Sequence, residues 1–130
     1  MLDNQRHTLS KAERISGKLT IESLFSSEHI SHVSYPIRVI YKLSDHPHKV
    51  TASILVSVSK KRLHHAVDRN RMKRQIREAY RLNKQIVTSP LTDTGKHLAM
   101  AFLFIGDKPC ETETVTKSIE KLLQKVAAKI

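Results

Sequence analysis

Val50 to Ser59 alternates strictly along the chain. Val50, Ala52, Ile54, Val56 and Val58 take one side, and Thr51, Ser53, Leu55, Ser57 and Ser59 take the other. A period of two is that of a strand with one face built for a core and the other rich in hydroxyls. Soon afterwards the period changes. From Ala66 to about Asn83, Met72, Ile76 and Ala79 fall together on a helical wheel, flanked by Tyr80 and Leu82, while basic residues sweep the opposite side. A strand feeding an amphipathic helix limits the fold to classes that pack helices on a sheet.

Other segments fit that frame. Ile21, Leu24 and Phe25 stand at i, i+3 and i+4, which predicts a short helix from a Thr20 cap to about Ser27. Pro36 to Leu43 reads as a strand, with Ile37, Val39, Tyr41 and Leu43 on one side. Asp45-His46-Pro47-His48 reads as a turn, so this strand and Val50–Ser59 are expected to pair as an antiparallel hairpin. Thr88 to Lys96 reads as a loop. Leu98 to Ile105 is continuously apolar and short, as in a strand buried on both faces; a buried helical segment has the same pattern. Thr112 to about Ala128 is a second amphipathic helix, with Val115, Ile119, Leu122, Leu123 and Val126 as its apolar stripe. Its Lys117, Lys121, Lys125 and Lys129 form a row that reads as a solvated outer face. The order helix, strands, helix, strand, helix makes the class α+β, an α/β sandwich around one central sheet. Residues 1–15 read as a mobile arm and 16–130 as a single domain.

Charge narrows the function. The chain carries 23 Lys and Arg against 12 Asp and Glu, a formal net charge of +11. Such a surface calls for an anionic partner, nucleic acid above all. The single cysteine, Cys110, allows no intrachain disulfide and no thiolate cluster. No apolar run approaches the roughly 20 residues of a membrane span, and the polar start does not resemble a signal peptide. These features predict a cytoplasmic protein with no membrane role.

The charge is concentrated. Residues 60–81 hold Lys60, Lys61, Arg62, Arg69, Arg71, Lys73, Arg74, Arg77 and Arg81 against only Asp68 and Glu78. Arg69, Lys73 and Arg77 stand four apart, a spacing that costs a few tenths of a kcal/mol per like-charge pair in the free protein. Phosphates would relieve that repulsion, and Arg suits bidentate phosphate contacts. Asp68 is expected to cap the helix, with Asn70 a second cap candidate.

Ala66-Val67-x-Arg69-Asn70-x-x-Lys73-Arg74-x-x-Arg77-Glu78 resembles the signature of the bacterial ribonuclease P protein family, in which Arg69-Asn70-Arg71 forms the RNR motif. Six fixed residues in ten positions arise by chance about once in 10⁷–10⁸ starts under roughly even residue usage. Val56-Ser57-Val58-Ser59-Lys60-Lys61 resembles the family's strand and basic turn. Two departures stand out. The family's N-terminal helix usually carries two aromatics four apart; Phe25 matches the second, but Ile21 stands at the first. The family's glycine before the helix is replaced by Arg62-Leu63-His64-His65.

The resemblance implies a three-layer sandwich with a left-handed βαβ crossover and two RNA surfaces. On one, Arg69, Asn70, Arg71, Lys73, Arg74 and Arg77, with Lys60 and Lys61, would contact the catalytic RNA subunit of ribonuclease P. On the other, a cleft between the N-terminal helix and the sheet, Phe25, Tyr41 and Ile21 would contact the 5′ leader of precursor tRNA. The RNA would carry the hydrolysis with Mg²⁺ that it mainly holds itself. No protein residue is then catalytic, and no obligate protein partner is implied.

Two rival classes fit parts of this pattern. A ribosomal or nucleoid-type basic protein would share the charge balance but not the signature. A metal hydrolase would draw on the 8 His, but His29 and His32, His46 and His48, and His64 and His65 lack a zincin-like spacing.

Overall fold

In the computed structural model, residues 13–14, 30–45 and 50–130 are described. The expected N-terminal helix, with Phe25 and Ile21, and most of the turn after Asp45 lie outside them. The described elements are β1 (Ile30–Ser34), β2 (Ile37–Ser44), β3 (Ala52–Ser57), α1 (Ala66–Asn83), α2 (Gln85–Leu91), β4 (His97–Phe104) and α3 (Thr112–Lys129). The class is α+β.

The sheet is four-stranded in the order β1-β2-β4-β3. β2 pairs with β4 antiparallel, Val39 facing Phe102, and β3 pairs with β4 parallel, Val56 facing Phe102. The hairpin expected between β2 and β3 is therefore incorrect: β4 lies between them. The reason is burial. β4 is apolar at every position after His97, and a strand of that kind belongs in the middle of a sheet, with paired strands on both edges and side chains packed on both faces. The β3–α1–α2–β4 connection is the parallel crossover of the sheet.

Ile37, Val39, Tyr41, Ala52, Ile54, Val56, Leu98, Met100, Phe102 and Phe104 line one face, and join Met72, Ile76, Ala79 and Tyr80 of α1 and the apolar stripe of α3 in one core. Val115, Ile119, Leu122, Leu123 and Val126 are all 0% exposed, and each contributes roughly 1.5–3 kcal/mol by leaving water. Ile40 and Ala101 are buried on the opposite face, with Leu55, Ala99 and Leu103 packed against them. One residue of the expected apolar face of α1 departs from it: Leu82 is exposed.

β1 has no counterpart among the elements expected from the sequence. It is a two-residue turn away from β2, with Ser34 facing Ile37 across a cis Tyr35–Pro36 peptide. Its outer edge is occupied by α3: Lys125 Nζ donates to Val33 O at 3.2 Å and Ser118 Oγ to Tyr35 O at 2.9 Å. The Lys125 bond uses up a carbonyl that an edge strand would otherwise offer to another chain, and the Ser118 bond holds the turn that follows β1. The expected loop from Thr88 is also corrected, because α2 continues to Leu91 through Pro90. Val87 and Leu91, four apart, are buried. Thr92 Oγ1 bonds to Thr88 O at 3.0 Å and Thr94 Oγ1 to Leu91 O at 2.7 Å, satisfying carbonyls at the helix end.

At the far end of α1, Lys84 Nζ lies 2.8 Å from Glu13 Oε2. Burial, and after it the Glu13 carboxylate, push the nearby Tyr80 phenol well above its usual range. Among the described residues the buried Tyr80 hydroxyl has no hydrogen-bond partner. A buried unsatisfied hydroxyl costs about 1–3 kcal/mol. Tyr80→Phe is therefore expected to stabilise the fold by about 1 kcal/mol, read as a higher urea midpoint. A lower midpoint would show that the hydroxyl has a partner in solution.

Candidate nucleic-acid interface

The basic segment forms a turn followed by a helix. Arg62 N and Leu63 N both donate to Ser59 O, at 3.2 and 3.1 Å. Leu63 is buried and anchors the turn, while Lys60, Lys61, Arg62, His64 and His65 are exposed. No residue of this turn has a positive φ. That explains how Arg62-Leu63-His64-His65 can stand where the family usually has a glycine: the path taken does not need one.

His65 is the N-cap of α1, without a side-chain cap bond. The capping expectation for Asp68 is therefore incorrect, since it lies inside the first turn, as is that for Asn70, further into the helix. Asp68 still sits where an acid favours the helix dipole. Arg69 ties the helix to the turn, its Nη1 donating to Leu63 O at 3.0 Å and His64 O at 2.8 Å. Its guanidinium keeps further donors, because one nitrogen makes both bonds.

Met72, Ile76, Ala79 and Tyr80 face the core. That burial turns Asn70, Arg71, Arg74 and Arg77 into solvent, with Arg69 and Lys73 half-buried beside them. Glu78 accepts from Arg81 Nε at 2.9 Å. The bond lowers the Glu78 carboxyl below its usual range and raises Arg81. The signature's glutamate thus holds Arg81, leaving Arg71, Arg74 and Arg77 as the exposed arginines of the helix. The structure therefore brings together every residue expected to face the RNA subunit, along the turn and one helix face.

Tyr41 is placed elsewhere. It is 2% exposed and belongs to the core on the α3 side of the sheet. Its hydroxyl lies 3.4 Å from His32 Nε2, and the two rings stack at 5.6 Å. Burial, then Lys125 and Lys129, lower the His32 pKa from its ordinary 6.5. A histidine depressed in the folded state takes up more protons when unfolded, so it removes stability as pH falls below 6.5. His32→Gln is expected to lose less stability than the parent between pH 7 and 5 in paired denaturation curves. Parallel curves would show that His32 makes no contribution to the acid limb.

A family model described as Ribonuclease P matches residues 9–127. The chain belongs to that family. It is 38% identical over 122 residues to the ribonuclease P protein component of Porphyromonas gingivalis, covering 94% of this chain and 88% of that one. It is 37% identical over 112 residues to the component from Chlorobaculum tepidum, covering 80% and 72%. Among solved structures, the ribonuclease P protein of Staphylococcus aureus superposes with a TM-score of 0.69 at 23% identity, covering 89% of this chain and 96% of that one. The protein from Thermotoga maritima gives 0.68 at 19%, covering 87% and 96%. Both show the fold. As a ribonuclease P protein, the chain is a subunit of the ribonucleoprotein that processes tRNA, and its basic turn and helix are where the family signature falls. Among the described residues, no helix is long and apolar enough to cross a membrane.

Proposed function

We propose that the chain binds the catalytic RNA subunit of ribonuclease P through the turn at Lys60–Arg62 and the exposed face of α1, and assists removal of the 5′ leader from precursor tRNA. The observation that carries this reading is the run of exposed Asn70, Arg71, Arg74 and Arg77, held outward by a fully buried opposite face. Arginines fixed on a helix present preorganised forks to phosphates. Arg69, through its bonds to Leu63 O and His64 O, sets the angle between turn and helix while retaining donors for RNA.

The protein's contribution is electrostatic. Its cations offset repulsion between the RNA subunit and the substrate and so reduce the Mg²⁺ required. A surface this basic is no ligand set for a divalent cation, and among the described residues no cluster of three His, Cys, Asp or Glu lies together. RNA oxygens are the natural ligands for Mg²⁺. Leader contacts fall to Phe25 and Ile21; Tyr41, 2% exposed within the core, presents no free ring face to a base.

The test is cleavage of a precursor tRNA at low Mg²⁺ by the organism's own ribonuclease P RNA, with and without the protein. Restored cleavage at the mature 5′ end is the expected result. Tight binding with no effect on cleavage would instead make the chain a general basic RNA-binding protein.

A further inference from the structure

Of the three tyrosines in the chain, Tyr80 and Tyr41 are 0% and 2% exposed. Tyr35 is 64% exposed. Phe102 and Phe104 are buried too, so Tyr35 presents the open aromatic ring among the described residues. A solitary exposed tyrosine is ordinary; the way this one is held is not.

Its backbone is fixed from two elements. Ser118 Oγ, from a residue only 4% exposed, donates to Tyr35 O at 2.9 Å. The next carbonyl, Pro36 O, accepts from Ile105 N at 2.8 Å. Gly106 packs against the same turn: a Cβ there would stand 3.3 Å from Pro36 Cβ and 2.8 Å from the Phe104 ring, so only glycine fits without displacement. Ile105 is bonded on its other side as well, its carbonyl accepting from Arg62 Nη1 at 3.0 Å. A continuous path of hydrogen bonds thus runs from the Tyr35 turn through Ile105 to the guanidinium of the basic turn.

The register puts these groups at one end of the sheet. Ile37, just after the turn, faces Phe104 at the end of β4, and Ser57 at the end of β3 faces Leu103. The chain leaves that end of β3 into Lys60, Lys61 and Arg62 and then α1. An open ring on a rigid backbone, at the same end of the sheet as the basic turn, suits an unpaired base and its phosphate. The ring supplies a stacking face at low entropic cost, and the cations track the backbone.

We propose that Tyr35, linked to Arg62 through Ile105, is a stacking site for one unpaired nucleobase of RNA, at the end of the sheet from which the chain enters the basic turn. This rests on the RNA-binding reading above and adds a contact to it. The base belongs either to the RNA subunit or to the single-stranded leader.

The test measures two affinities for the parent, Tyr35→Ala, Tyr35→Trp and Arg62→Ala proteins: for the ribonuclease P RNA alone, and of the assembled holoenzyme for precursor tRNA with a leader. Tyr35→Ala is expected to weaken one of them about tenfold, the scale of one base–aromatic stack. Its salt dependence should stay unchanged, because no ion contact is lost. Tyr35→Trp should retain affinity. Arg62→Ala should weaken the same affinity and flatten its salt dependence by about 0.7–0.9 in log–log slope. A loss confined to the first affinity assigns the base to the RNA subunit, and a loss confined to the second assigns it to the leader. Parental affinity of a folded Tyr35→Ala for both RNAs would overturn the site, as would an equal loss in Tyr35→Trp. Failure of the parent protein itself to bind the RNA would instead overturn the functional reading beneath it.

Discussion

Replacing Lys73, Arg74 and Arg77 together by Ala is expected to weaken binding to the ribonuclease P RNA by on the order of 10³-fold. A hydrogen bond to a charged group contributes about 1.5–3 kcal/mol, and the lower figure, summed over three contacts, already reaches that scale. The salt dependence should change with it: each lost phosphate contact removes about 0.7–0.9 from the slope of log K against log salt, so the triple variant should lose about 2–2.7. Folding should be spared. Arg74 and Arg77 are exposed and Lys73 half-buried, and their removal relieves like-charge neighbours on one helix face. Titration of the RNA at several salt concentrations checks both numbers. A large affinity loss with an unchanged slope would mean that these residues act by shaping the helix and not by meeting phosphates.

Arg69 separates those two roles. Its bonds to Leu63 O and His64 O make it part of the turn, so Arg69→Ala should disturb the joint between turn and helix as well as removing a cation. Arg69→Lys keeps the charge but loses the forked geometry. The wheel shows Arg69 only as one more cation; its bonds to the turn carbonyls depend on the path of residues 60–65.

Other features were legible for physical reasons. The limits of α1 follow from a period that starts at Ala66 and ends near Asn83, and the structure has the helix at Ala66–Asn83. The inward side of β3 follows from its alternation, because Ala52, Ile54 and Val56 are buried, as is Val58 just past its end. Alternation says which face is covered but not which strand lies alongside, and there the hairpin expectation failed. The decisive signal was Leu98 to Ile105, whose two-sided apolar character demands neighbours on both sides. β1 leaves no clear pattern in the sequence, because Ile30 and Val33 are its only large apolar residues and neither is drawn into the core. Tyr41 was legible in part: its place in the Ile37–Val39–Tyr41–Leu43 series puts it on the core face, whereas the family resemblance supplies its expected RNA contact. Tyr35 lay beyond reach, because nothing local distinguishes an exposed tyrosine held by α3 and β4 from one that is free.

Phe102→Ala is expected to cost about 3–5 kcal/mol, the range for emptying a buried aromatic site. Phe102 is 0% exposed, faces Val39 on β2 and Val56 on β3, and lies with its ring 5.9 Å from Tyr80. It therefore joins the two inner strand pairings to the underside of α1. A small domain has about 5–15 kcal/mol in all, so the variant should sit near the edge of folding at 37 °C. The void should not collapse easily, because the backbone around it is pinned by pairing on both sides of β4 and by the docked helix. Denaturant unfolding should show a lower midpoint with an unchanged slope, the sign of lost stability without a changed unfolded state. RNA binding adds a second readout. The cations of α1 are untouched, so at low temperature, where the variant is folded, affinity and salt slope should match the parent. With rising temperature, affinity should fall as the folded fraction falls, and saturating RNA should raise the melting temperature by mass action. A variant destabilised by less than about 1.5 kcal/mol would show that Tyr80 and Met72 repack into the space, and that the helix carrying the RNA surface is held less rigidly than its buried face implies.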